Sequence, residues 1–247
     1  MVPGAQSKPL ATTDALPSEA QANPFCGSMT PGMSDTVGGH MAALGDITPG
    51  GMRMVEADVQ AGPAPGTWTV TFRTDAAPGT LAAFAGALAS ARLDIISAVI
   101  RLAADGTVTD SFDVATLDDS SLEDPDAARL GALAAGVLNG HRDLASELRE
   151  LRRRFPAQDG IDPRVEFNTD SSLTTGITVV AAERPGLLYD IASTLSRHGL
   201  RARAVGVLTH TGQAHDTFRV VDPSGAPPKD PALLERLRDE LLRVVAE

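Results

Sequence analysis

A chain of 247 residues with a formal charge of −11 at pH 7 repels nucleic acid and anionic membrane surfaces, which removes both as main partners. Its single cysteine, Cys26, excludes an internal disulfide and a cysteine metal site, so a reducing, cytoplasmic setting is expected. No apolar run approaches the roughly 20 residues that span a bilayer, no secretory signal pattern opens the chain, and with aromatics at only 4% any core is aliphatic.

Residues 1–51 are rich in Pro, Gly, Ser, Thr and Ala without a sustained period. Such a segment buries too little to offset its ordering entropy, so a disordered or loosely attached tail is expected. Its Met29, Met33 and Met41 read as alternative start positions rather than a binding patch.

Met52 to Val59 can form a strand, closed by a Gly-Pro-Ala-Pro-Gly linker at 62–66. Thr69 to Arg73 alternates polar and apolar as a half-buried strand does, and Pro78-Gly79 ends it. Thr80 to Ala91 then carries Leu81, Phe84, Ala85 and Leu88 at helical spacing. Leu93 to Leu102 reads as a strand, Asp105-Gly106 as a hairpin turn and Val108 to Ala115 as the return strand. Asp124-Pro125 offers a cap with proline at the first helical position, opening a helix to about Leu138. A linker helix over 141–155 follows, with Leu144, Leu148, Leu151 and Phe155 on one face and the Arg152-Arg153-Arg154 run on a solvated C-terminal turn.

The order then repeats. Arg164 to Phe167 and Ile177 to Val180 read as strands, Leu187 to Arg197 as a helix, and Leu200 to Leu208 and Asp216 to Val221 as a hairpin turning at Thr211-Gly212. Asp230-Pro231 opens a last helix that fills 231–245. Pro78-Gly79 and Pro185-Gly186 are 107 residues apart, as are Leu93 and Leu200; Asp110-Ser111-Phe112 and Asp216-Thr217-Phe218 are 106 apart, as are the two Asp-Pro pairs. Four landmarks in register signify an internal duplication.

Each copy reads strand, helix, strand, strand, helix. A right-handed crossover and a tight hairpin, with one further strand, build the βαββαβ ferredoxin-like unit: an α+β fold with one antiparallel sheet and both helices on one face. The opposite face would be left bare, to be covered by the other copy or another chain. No chain remains after the last helix to give the second copy its fourth strand. The expectation is therefore a first unit over 52–168, including the linker helix, and a second over 169–247 completed by strand 52–59, while Arg164 to Phe167 serves the first. The competing arrangement is circular permutation, with each extra strand serving the copy that follows it.

The corner Glu183-Arg184-Pro185-Gly186-Leu187-Leu188 is where a strand feeds into a helix start. Gly186 lets the backbone approach a ligand, and the first helical amides lack intrahelical partners, so the corner can hold a small anion such as a carboxylate. The plainer reading is a Pro-Gly chain reversal with Leu187-Leu188 as core and Glu183-Arg184 as a surface pair.

Strand, Glu-Arg-Pro-Gly-Leu-Leu-Tyr, helix, strand and Asp-Thr-Phe-Arg-Val resemble the ACT domain, and most closely the tandem pair at the C-terminus of bacterial PII uridylyltransferases, over about residues 52–247. The resemblance implies a small-molecule sensor that binds an amino acid between paired units, with glutamine the ligand by analogy and nitrogen or amino-acid metabolism the setting. It implies that amides around Gly186, Leu187 and Leu188 take the ligand carboxylate and that Glu183 pairs with its ammonium group. Glu183 stands where the family usually has Asp. The first copy departs further, because Ala76-Ala77 replaces the acid-Arg pair and Asp75 lies one position early, so its site at Asp75, Pro78, Gly79, Thr80 and Leu81 is expected to be weak or empty.

No catalytic residue, metal or other cofactor is expected: the nucleotidyltransferase and hydrolase parts of that family are not legible here, and His198, His210 and His215 form no converging ligand set. The function expected is a non-catalytic amino-acid-sensing regulator with a regulated protein partner, a homo-oligomer being compatible. A ligand-free docking or oligomerisation module is the alternative.

Overall fold

The computed structural model describes residues 52–117 and 124–246, all within the unit that runs from Thr48 to Glu247. The expected tail, residues 1–51, lies outside the described residues. The first copy comprises β1 (Glu56–Ala61), β2 (Thr67–Asp75), α1 (Thr80–Ser90), β3 (Leu93–Leu102), β4 (Thr107–Thr116) and α2 (Ala127–Leu138). A connecting helix α3 (Ala145–Arg154) leads to β5 (Arg164–Asn168), β6 (Thr175–Ala182), α4 (Leu187–Arg197), β7 (Arg201–Gly206), the two-residue β8 (Thr209–His210), β9 (Gln213–Val221) and α5 (Pro231–Val245).

The two sheets have matching order, β1-β2-β4-β3 and β5-β6-β9-β7, with β8 beside β9 and every pairing antiparallel. These are two ferredoxin-like units. The strand exchange expected from the sequence does not occur: β1 pairs with β2 of its own copy, and β5 with β6 of the second. Each unit is thus circularly permuted, and the boundary between them falls before Arg164 rather than after residue 168. Loop length explains this outcome. The Gly-Pro-Ala-Pro-Gly stretch is a hairpin loop, closed by Gly62 N donating to Thr67 O at 2.8 Å, and a short local closure costs far less entropy than carrying the strand to a distant sheet. Asn139 pins the strand's approach from the same copy, with Arg53 N donating to Asn139 Oδ1 at 2.9 Å and Asn139 Nδ2 donating to Arg53 O at 3.0 Å.

Alternation along the strands decides what each sheet face does. Val108, Phe112 and Val114 of β4 and Val70 and Phe72 of β2 point inward beneath α1, where Phe72 stacks on Phe84 at 4.6 Å and meets Phe112 edge-on at 6.1 Å. The face expected to be bare is polar instead. In the first copy Thr69 Oγ1 donates to Asp113 Oδ1 at 2.7 Å, Thr71 and Ser111 share a hydrogen bond of 2.9 Å, and Ser97 Oγ donates to Asp113 Oδ2 at 2.7 Å, with Val99 half-exposed among them. The copies meet instead along α1 against α4 and β3 beside β7, and residues of both belong to one continuous buried cluster.

Two local details differ from the sequence reading. Asp126, not Asp124, caps α2, accepting from Arg129 N at 3.2 Å. Asp124 accepts instead from the buried indole Trp68 Nε1 at 2.9 Å, because a buried N–H must find an acceptor. The linker helix begins at Ala145 rather than 141; Leu144 and Leu148 pack with Ala89 of α1 and against Tyr189 of α4, over the junction of the two copies.

Candidate functional site

The duplicated strand-to-helix corners lie at the seam between the copies. In each, the glycine before the helix has the left-handed conformation, φ 80° at Gly79 and 76° at Gly186, which a residue with a Cβ adopts only with strain. Each corner faces the helix end and following strand of the other copy. Pro78, Gly79, Thr80 and Leu81 look across to Leu195 and Arg201; Glu183, Pro185 and Gly186 look across to Ala89 and Asp94. The pseudo-twofold relation of the sequence repeat is therefore a relation between two cavities.

The cavities differ in size. The first corner opens on about 270 Å³; the second retains about 30 Å³, room for one water. Among the described residues α3 packs on the second corner and not on the first. Leu148 sits so close to Gly186 that a Cβ there would meet its methyls at 3.0 and 3.1 Å. Arg152 Nε donates to Pro185 O at 3.1 Å and Arg152 Nη2 to Asp190 Oδ2 at 2.6 Å. At Gly79 the nearest atom to such a Cβ would be Ser196 Oγ at 3.6 Å.

The predicted residues of the second corner divide by role. Arg184 is 5% exposed; its Nη2 donates to Val244 O at 2.6 Å and its Nη1 lies 2.7 Å from Asp190 Oδ2, which ties α5 to the start of α4. Leu187 and Leu188 are buried core. Glu183 lines the small cavity, accepting from Arg184 N at 3.0 Å and from Thr209 Oγ1 at 2.9 Å. Burial first and the Asp94 charge second push its carboxyl up to about 7, and burial together with Glu183 pushes Asp216 to about 8. In the first copy Pro78, Gly79, Thr80 and Leu81 line the large cavity, whereas Asp75 ends β2, is exposed and is not among the lining residues.

Sequence reasoning missed two carboxyls that it had used only as repeat landmarks. Asp110 and Asp216 occupy inward positions of β4 and β9, at 1% and 2% exposure, each facing its copy's cavity. A charged residue in the buried register of an alternating strand was the signal available. Among the described residues Asp110 has one hydrogen bond, from Arg101 N at 3.3 Å, and burial raises its carboxyl to about 7; Asp216 Oδ1 is buried with no partner. Arg201 was also missed. It lines the large cavity from the other copy, its Nη2 donating to Pro223 O at 3.1 Å and to Asp222 O at 3.4 Å, while its buried Nε has no hydrogen-bond partner among the described residues.

Among the described residues no group of three or more His, Cys, Asp or Glu is placed to hold a metal ion. His198 shares a 2.7 Å hydrogen bond with Glu240, and His215 one of 2.9 Å with Gln213. No helix among them is long and apolar enough to cross a membrane.

No family model matches the chain. It is 36% identical over 172 residues, 67% of its length, to the bifunctional uridylyltransferase/uridylyl-removing enzyme of Gluconobacter oxydans, and 30% identical over 198 residues, 78% of its length, to that of Rhodospirillum rubrum. The chain is a tandem ACT-domain protein resembling the regulatory region of these enzymes. The matches cover 18% and 21% of the two relatives, about a fifth of their length. A solved structure assigned as a glycine cleavage system transcriptional repressor covers 73% of this ACT-domain chain and 92% of its own at 13% identity and a TM-score of 0.27, a superposition too loose to carry weight.

Proposed function

We propose that this tandem ACT-domain protein is a non-catalytic sensor of a free amino acid, which binds in the cavity at the first-copy corner, between the two copies. The observation that supports the reading is that cavity of about 270 Å³, walled by the Gly79 corner of one copy and the α4–β7 junction of the other. It is smaller than the pockets that take drug-sized molecules and suits a single small metabolite. An occupant touches both copies, so its binding energy depends on how they are packed, and that dependence lets a ligand shift the arrangement and alter contact with a regulated protein. The start of α1 at Gly79 presents the positive end of the helix dipole to the cavity, which favours an anionic group there. Among the described residues neither a Cys nor a His lines the cavity, so no nucleophile among them has an imidazole base there. Glutamine is the candidate that the resemblance supplies.

Calorimetric titration of the purified chain with each common amino acid tests the proposal. Saturable heat at one ligand per chain is expected, lost when Ala77, which lines the cavity, is replaced by Trp in a variant whose circular dichroism is unchanged. Silence from every amino acid, with folded protein, would favour the ligand-free docking role.

A further inference from the structure

Resting on the amino-acid reading above, we infer that the open cavity selects an α-amino acid with an aliphatic side chain rather than glutamine, with Asp110 anchoring its ammonium group and Arg201 its carboxylate. The wall is the first argument. Most of the lining surface is apolar, with Leu81, Ile100, Val108, Leu195, Leu200 and Pro223 contributing to it, and a carboxamide placed against such groups would lose its hydrogen bonds to water without replacement. A methyl-bearing side chain gains by the same transfer.

The two anchors are the second argument. Asp110 is almost wholly buried yet receives one long hydrogen bond, which leaves acceptor capacity on a carboxylate in a cavity. An ammonium group is the partner that would keep it ionised there. Arg201 comes from the opposite wall, and its buried Nε is unmatched, so a carboxylate would complete the guanidinium. Opposite charges from different copies, with apolar surface elsewhere, are the complement of a zwitterion carrying an aliphatic side chain. The ligand then bridges first and second copies through its own charges. Arg101 and Arg203 also line the cavity but are exposed, so solvent screens them from a side chain.

The test is competitive calorimetry on the full chain with leucine, isoleucine, valine, glutamine and glutamate, together with leucine lacking its amino group and leucine amide. At least one aliphatic amino acid is expected to bind tenfold or more tightly than glutamine, and both leucine analogues to lose tenfold or more. Asp110→Asn and Arg201→Gln, checked for fold by circular dichroism, are expected to reproduce those two losses separately. Tighter binding of glutamine or glutamate, still blocked by Ala77→Trp, would overturn the aliphatic selection and leave the sensor standing. Aliphatic binding indifferent to both analogues would overturn the anchor assignment, and binding of no amino acid would overturn the sensor itself.

Discussion

Arg184 and its neighbour Glu183 look in the sequence like two exposed charges of opposite sign, but the fold separates them. The Arg184 guanidinium turns into the interior to reach the last turn of α5 and the first-turn Asp190 of α4, where Arg152 joins the same carboxylate. A cation at carbonyls that end a helix and an acid at a helix start both complement the backbone dipoles. Removing one member of so buried a cluster strands the others, so Arg184→Ala is expected to cost about 3 kcal/mol or more. The exposed Arg197, paired with Glu240 at 2.7 Å, should cost less than about 1 kcal/mol as Ala. Urea unfolding of the two variants side by side measures the contrast.

At the level of elements, α3 distinguishes two corners that the repeat makes equivalent. Its Leu148 packs against Gly186, whereas among the described residues the atom nearest a Cβ added at Gly79 is Ser196 Oγ at 3.6 Å. Leu148→Ala should therefore destabilise the fold by about 2–5 kcal/mol, as for other fully buried leucines. Gly79→Ala and Gly186→Ala share the backbone strain of a left-handed residue, about 1–2 kcal/mol. Gly186→Ala adds a collision with Leu148 and is expected to be the worse of the two in thermal melts. The helices themselves were largely legible: the 3.6-residue period and the Asp-Pro cap placed α4 and α5, because both signals lie within a few residues of the elements they define. The cap of α2 is not legible locally because Asp124 is claimed by Trp68, distant in sequence, and the start of α3 is not, because Leu144 shares the helix's apolar spacing while standing at its N-cap.

For the whole molecule, one buried cluster spanning both copies predicts one cooperative transition. Fluorescence of Trp68, the chain's only tryptophan and part of the first copy, should report the same denaturation midpoint as far-ultraviolet circular dichroism. The seam also sets the response to pH. Asp110 and Glu183 are raised to about 7 and Asp216 to about 8, so the folded state holds protons that the unfolded chain releases near pH 4. The stabilisation is complete below the unfolded values and is lost as pH rises through the folded ones. Stability should therefore fall between about pH 4 and 8, at up to about 1.4 kcal/mol per pH unit for each group in its window. Glu240, held below the ordinary carboxylate range by hydrogen bonds from Arg197 and His198, acts in the opposite sense only at more acid pH. Chemical denaturation at pH 5, 6, 7 and 8 gives the slope, which Asp216→Asn should flatten, most clearly above pH 6.

By itself the sequence determined the duplication, the order of elements in each copy, the ferredoxin-like class and the place of both Pro-Gly corners, since hydrophobic period and turn chemistry are written in adjacent residues. Tertiary structure alone decided which sheet received β1 and β5, which corner stayed open, and that Asp110, Asp216 and Arg201 face the seam. Those outcomes depend on loop closure and on how side chains from distant segments fill a shared volume, and no short stretch of residues encodes either.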